Sequence, residues 1–92
     1  MAEVRDNPAR QRFEMVEQGQ TVFADYRRDG RRLFIDHVEA PVSLRGSGAA
    51  GRFMEGLVAA ARAEGSTLSP ICSYAVTWLR RHPELAAGVV DE

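Results

Sequence analysis

The feature that most constrains the fold is a change of hydrophobic period across one short run, Leu44-Arg45-Gly46-Ser47-Gly48-Ala49-Ala50-Gly51-Arg52. Before it, apolar residues recur at every second position, the repeat of a strand with one buried face. From about Gly48 onward they recur about every 3.6 positions, the repeat of a helix. The run itself holds three glycines with only small side chains between them and arginines on either side. Glycine lets a backbone turn sharply and approach another group without a Cβ in the way. A helix that starts inside the run points its first N–H groups and its positive dipole end out of the loop. That geometry suits an anion, best a phosphate or pyrophosphate.

The segments on either side follow from the same two periods. Residues 1–10 are polar, contain Pro8 and read as a disordered lead-in to a single domain over 11–92. Arg12 to Glu17 alternates as a half-buried strand, and Gln18-Gly19-Gln20 reads as a tight turn. Thr21 to Arg27 alternates again, and Asp29-Gly30 is a strong hairpin signal. Arg32 to Val38 makes a third strand whose apolar centre implies burial on both faces, so the three form an antiparallel meander ended by Pro41. After the loop, Ala50, Phe53, Met54, Leu57, Val58 and Ala61 share one helical stripe, with Arg52, Glu55, Arg62 and Glu64 toward water and Gly65 closing the helix. Thr67 to Ile71 reads as a fourth strand, parallel to the third because a helix intervenes. Ser73 to Arg81 reads as a second helix that stops before His82-Pro83, and Glu84 to Val90 as a tail folded back on the domain. The expected class is α+β, with the chemistry gathered where the third and fourth strands leave a crevice at their carboxyl ends.

Composition narrows the function classes. At 92 residues, with 45% hydrophobic and 27% charged residues, the chain suits one small globular domain. Cys72 is the only cysteine, which excludes an internal disulfide and suits a reducing cytoplasm. No apolar run approaches a membrane span, the N-terminus is charged rather than signal-like, and a net charge of −1 draws the chain to no nucleic acid. All twelve basic side chains are arginine. A lysine Schiff base and a phosphate-loop lysine are therefore excluded, and anion recognition rests on arginine forks and backbone amides.

Arg45 stands directly before the loop and Arg52 one turn into the helix, both within reach of a diphosphate held over the amides. Gly46, Gly48 and Gly51 match the spacing of a dinucleotide fingerprint, but the first-strand position and the downstream acid are missing. Cys72 opens the second helix, where the dipole favours a thiolate, unless it serves as a small hydrophobe. Ser73 beside it is an equal candidate for the helix cap. His37 closes the third strand, and strands ending in parallel would bring it toward Cys72 as a base. Asp36 and Glu39 flank His37 as candidates to orient it, against the simpler reading of solvated acids. Trp78 and Tyr74 read most simply as core, with the Tyr74 hydroxyl a candidate proton donor to a thiol. His82 sits at a helix end that suits a structural cation.

Arg45-x-x-Gly48-x-Ala50 resembles the Arg/Gln-x-x-Gly-x-Gly/Ala pyrophosphate loop of the GNAT N-acetyltransferase superfamily. From Phe13 to Val90 the chain resembles the minimal single-domain GNAT-like acetyltransferases. The likeness rests on the strand ending in His37, the loop at 44–51, Pro70-x-Cys72-Ser73-Tyr74 and Arg81-His82-Pro83-Glu84. It implies a compact GNAT-like fold with acetyl-CoA as coenzyme, bound by Val38, by Arg45, Gly46, Ser47, Gly48, Ala49, Ala50, Gly51 and Arg52, and by Ser73 and Tyr74. It places the pantetheine arm between the strands ending at Val38 and Ile71, the thioester near Cys72, and makes Cys72 and His37 the catalytic candidates. Many members carry threonine after the histidine, where this chain has Val38, so His37 lacks a hydroxyl partner there.

The leading expectation is an acetyl-CoA-dependent N-acetyltransferase, by direct attack of an amine or through an acetylated Cys72. It is cytoplasmic, a monomer or weak dimer, and without a metal. A non-catalytic acyl-CoA-binding module is the main rival, because so small a domain leaves little wall for an acceptor. A nucleic-acid binder is a third reading, opposed by the near-neutral charge.

Overall fold

The computed structural model describes residues 3–90. Strands β1 (Arg5–Asn7), β2 (Arg12–Glu17), β3 (Gln20–Asp29) and β4 (Arg32–Glu39) lead through a 3-10 turn at Val42–Leu44 into helix α1 (Ala49–Glu64). Strand β5 (Thr67–Pro70), helix α2 (Ser73–Arg81) and a short α3 (Pro83–Ala86) complete the order. The sheet runs β1-β2-β3-β4-β5, antiparallel through β4 and parallel between β4 and β5. The expected three-strand meander is therefore β2 to β4, with a further strand before it.

That further strand corrects the reading of the first ten residues as a lead-in. Arg5 to Asn7 pairs with Glu14 to Arg12, and the Tyr26 hydroxyl donates to Asp6 Oδ1 at 2.6 Å. A turn closed by Arg10 N–H on the Asn7 carbonyl (3.1 Å) joins β1 to β2. The strand shows no alternation because it is held by backbone pairing at a sheet edge, with Arg5 and Asp6 both exposed. Residues 1 and 2 of that lead-in lie outside the described residues.

Phe13 and Met15 of β2, Val22, Ala24 and Tyr26 of β3, and Leu33 and Ile35 of β4 all point into one core. Phe53, Met54, Leu57, Val58 and Ala61 of α1 meet them from above. Each large side chain removed from water this way contributes about 1.5–3 kcal/mol. Phe34 is only half-buried, on the sheet face turned away from α1, with the Arg27 and Arg32 guanidinium groups 4.8 and 5.7 Å from its ring. The expectation that β4 is buried on both faces thus holds for one face alone.

Gly48 caps α1 at φ 87°, and the buried stripe begins at Ala49 rather than Ala50. Gly65 ends the helix at φ 75°, with its N–H on the Arg62 carbonyl and the Ser66 N–H on Ala61 O, the six-to-one closure favoured by a left-handed glycine. The tail returns as expected: Val89 is buried and its carbonyl accepts the Leu68 N–H at 2.7 Å. No described helix is long and apolar enough to cross a membrane.

Candidate functional site

The site begins where β4 and β5 part. Their ladder runs from Arg32–Thr67 to Ile35–Pro70. There the chain turns, and the N–H groups of Ile71 and Cys72 both donate to the single Ile35 carbonyl, at 2.9 and 3.0 Å. Strand β4 continues to Glu39 with no strand beside it on that side among the described residues. At the same level the β3–β4 register skips Asp36, since Tyr26 pairs with Ile35 and Asp25 with His37. This bulge bends β4 away from β5 and re-aims the side chains that follow.

The opening is a cleft of about 290 Å3 lined by His37, Val38, Glu39, Ala40, Arg45, Ala50 and Tyr74. A larger groove of about 660 Å3 lies between α2, α3 and the tail, with Pro70, Val76, Leu79, Arg80 and Pro83 among its walls. Arg80 is the one ionisable group in that wall, and a groove of about 670 Å3 between α1 and α3, with Glu55, Arg62 and Glu84, has no β4 or β5 residue in its lining; the cleft where those strands part is the candidate site.

The Gly-rich loop contributes Arg45 and Ala50 to the wall of this cleft. Gly46 and Gly48 hold φ of 82° and 87°, a region that costs other residues about 1–2 kcal/mol. Ser47 Oγ donates to the Leu44 carbonyl at 2.5 Å and accepts the Ala49 N–H at 3.3 Å, which fixes the turn. The amides of Gly46, Gly48, Ala50 and Gly51 have no hydrogen-bond partner among the described residues. Arg45 bonds the Ala40 carbonyl through Nε at 3.3 Å and pairs with no carboxylate among the described residues. A rim of free amides beside an unneutralised guanidinium is a fit for a phosphate group.

Arg52 is placed differently. Its Nε and Nη2 donate to the Glu17 carboxylate at 3.0 and 2.6 Å, and Nη1 donates to the Ser47 carbonyl at 3.2 Å. Arg52 therefore ties the loop to the β2–β3 turn, and donating to the Glu17 carboxylate raises its pKa. Gly51 faces α2, where an added Cβ would sit 3.6 Å from Trp78 Nε1. Ala49 is fully buried.

His37 Nε2 lies 3.1 Å from Glu39 Oε1, and its ring stands edge-on to Phe23 at 6.4 Å. Asp36 does not orient the histidine. It is held by Arg27 through bonds of 2.7 and 2.9 Å, which lower its pKa. Cys72, half-buried, is the N-terminal cap position of α2, but no side chain caps that end; Ser73 is the first helical residue. Neither lines the cleft, and the His37 hydrogen bond goes to Glu39 rather than to the thiol. Tyr74 is not core: it is 39% exposed and lines the cleft. Burial pushes its phenol pKa up, and Cys72 nearby pushes it further. Trp78 is buried and stacks on His82 at 3.9 Å, and His82 Nδ1 contacts the Trp78 carbonyl at 2.8 Å.

Of the residues marked in the sequence, the fold gathers His37, Val38, Arg45, Ala50 and Tyr74 in one wall, while Gly46, Ser47 and Gly48 lie between Arg45 and Ala50 in the chain and are not part of that lining. Sequence reasoning missed Ala40, which has no chemistry to advertise, and Glu17, whose partner is 35 residues away.

A small α+β domain with a splayed parallel strand pair over a glycine-rich helix start has the architecture of a GNAT-like domain. The model of the GCN5-related N-acetyltransferase family matches residues 12–88, and the chain belongs to that family. Strand β1 lies before the matched span. No curated protein matches the chain. Membership suggests acetyltransferase activity, and acetyl-CoA is the coenzyme that such enzymes generally use.

Proposed function

We propose that the protein is a cytoplasmic acetyl-CoA-dependent N-acetyltransferase that acts on an amine. The observation that carries this reading is the set of unpartnered amides in the loop that lends Arg45 and Ala50 to the cleft wall. Acetyl-CoA supplies a thioester-activated acetyl group when bound. Gly46, Gly48, Ala50, Gly51 and Arg45 would receive its pyrophosphate, while Val38 and Ala40 offer an apolar wall to the arm. A backbone N–H on the open β4 edge would donate to the carbonyl oxygen as negative charge develops there.

His37, held by Glu39, takes the proton that the amine nitrogen gives up. Tyr74, with its pKa raised, stays protonated at neutral pH and has a proton to donate to a departing thiolate. Cys72 stands outside the cleft lining, which favours direct transfer over an acetyl-cysteine route. Rapid mixing with acetyl-CoA alone is expected to leave Cys72 unmodified; an acetyl-enzyme formed at a catalytic rate would reverse that order.

Calorimetry of wild type and Gly48→Glu with acetyl-CoA tests the coenzyme site, because the variant places an anion at the proposed phosphate position. Equal affinities would sink the assignment. Tight binding without turnover over a broad amine panel would instead support a non-catalytic acyl-CoA-binding module.

A further inference from the structure

The outward face of the sheet singles out one carboxylate. Val22, Ala24 and Tyr26 point into the core, so Phe23 and Asp25 point the other way. His37 meets the Phe23 ring, which puts the histidine on that same outward face. Asp25 lies outside the cleft lining but is the cross-strand neighbour of the cleft residue His37 in the β3–β4 register, at a typical side-chain separation of about 5 Å.

The acids around it are neutralised. Glu14 is bonded by Arg12 and Asp36 by Arg27. Arg12 is the neighbour of Asp25 on the β2 side, but its guanidinium bonds Glu14 and lies 4.5 Å over Phe23. The Asp25 side chain has no hydrogen bond or ion pair among the described residues. Glu39 is the remaining carboxylate beside His37, and its interaction is with the imidazole. The groups beside the histidine are thus two carboxylates and an aromatic ring; Arg45 shares the cleft wall, and no arginine contacts the imidazole among the described residues.

From this juxtaposition of a free Asp25 and His37 we infer that the acceptor is an aliphatic amine with a second ammonium group. One nitrogen is delivered to His37, and the other is held by Asp25. The inference rests on the acyl-transfer reading. A monoamine lacks the group that Asp25 binds, and an amino acid of equal length places a carboxylate against it. Asp25 is a specificity residue here and moves no proton. The bond formed would be between the delivered nitrogen and the acetyl carbon and the bond broken the thioester C–S bond; the amine proton would pass to His37, and the departing thiolate would take its proton from Tyr74.

The test compares 1,4-diaminobutane, butylamine and 4-aminobutanoate as acceptors at fixed acetyl-CoA. Wild type is expected to favour 1,4-diaminobutane over butylamine by about tenfold in kcat/KM, the scale of one charge-assisted contact, with 4-aminobutanoate poorest. Asp25→Asn, close to isosteric, should bring the diamine down to the level of butylamine. No preference in wild type, or a preference that survives in Asp25→Asn, overturns the inference. Calorimetry with 1,4-diaminobutane alone separates this failure from failure of the enzyme assignment. Binding lost in Asp25→Asn upholds the subsite even where no acetyl transfer occurs, and diamine binding that is absent in wild type or equal in both proteins removes it.

Discussion

Arg45 and Arg52 flank the same loop and look alike in the sequence, yet their surroundings give them opposite tasks. Arg52 has both carboxylate oxygens of Glu17 and a loop carbonyl, so its charge is spent on the fold. Arg45 has one long bond to a carbonyl and no acid among the described residues, so its charge is available to a ligand. On the proposed reading, Arg45→Ala should weaken acetyl-CoA binding by about tenfold or more, the value of one hydrogen bond to a charged group. Its melting temperature should stay within about 2–4 °C of wild type, since exposed substitutions of this kind cost about 0.5 kcal/mol or less. Titration calorimetry and thermal unfolding on one preparation check both halves; an unchanged affinity would remove Arg45 from the site. Gly48→Ala belongs beside it as a structural probe. At φ 87° the new Cβ would be strained and 3.0 Å from Arg52 Nη1. A loss of about 1–2 kcal/mol in denaturant unfolding is expected.

Helix α1 carries a second demanding glycine, this time inside the element. Gly56 sits in mid-helix, where glycine costs about 1 kcal/mol relative to alanine. An added Cβ there would lie 2.3 Å from Val4 Cγ2 and 3.1 Å from Val4 Cβ, so the glycine is what lets the segment before β1 cross the helix. Gly56→Ala should therefore destabilise the protein despite its better helix propensity. In a Val4→Ala background the same change should cost at least about 1 kcal/mol less, a coupling that a double-mutant cycle in urea reads directly. Equal costs in both backgrounds would mean that the contact carries no energy. The pair also shows what a sequence hides. Strands β2, β3 and β4 and helix α1 were legible because each writes its own period. Strand β1 was not, because an exposed edge strand needs no period and its anchors, Tyr26 and Gly56, lie far along the chain. The cleft was half legible for the same reason. Its glycines and His37 advertise themselves locally, whereas the choice of Glu39 over Asp36 as the histidine's partner depends on a bulge and on Arg27 across the strand pair.

At the scale of the whole molecule, arginine–carboxylate pairs tie together elements that the core alone would leave loosely joined. Arg52–Glu17 fastens the loop to the β2–β3 turn, Arg28–Glu64 fastens β3 to the end of α1, and Arg27–Asp36 spans the bulge. The carboxylates answer in their proton affinities. Glu14, Glu17 and Asp36 are held below their ordinary values chiefly by hydrogen bonds from Arg12, Arg52 and Arg27. Burial pushes Glu64 up but is outweighed by Arg28 and Ser66, so it too ends lowered. A folded-state pKa below the unfolded one means that the unfolded chain binds more protons in that window. The contribution is complete above the ordinary carboxylate values of 4.5 for glutamate and 3.8 for aspartate, and it is lost as pH falls through the lowered folded values. Thermal midpoints should accordingly be flat with respect to these four groups from pH 7 to about 5 and fall steeply below about 4. The exposed pairs among them should contribute least in high salt, where screening shortens their reach. Replacing Glu14, Glu17, Asp36 and Glu64 by their amides should flatten the acid limb while lowering the midpoint at neutral pH. An acid limb of unchanged slope in that variant would assign the transition to other carboxylates and leave the arginine pairs as geometry without thermodynamic weight.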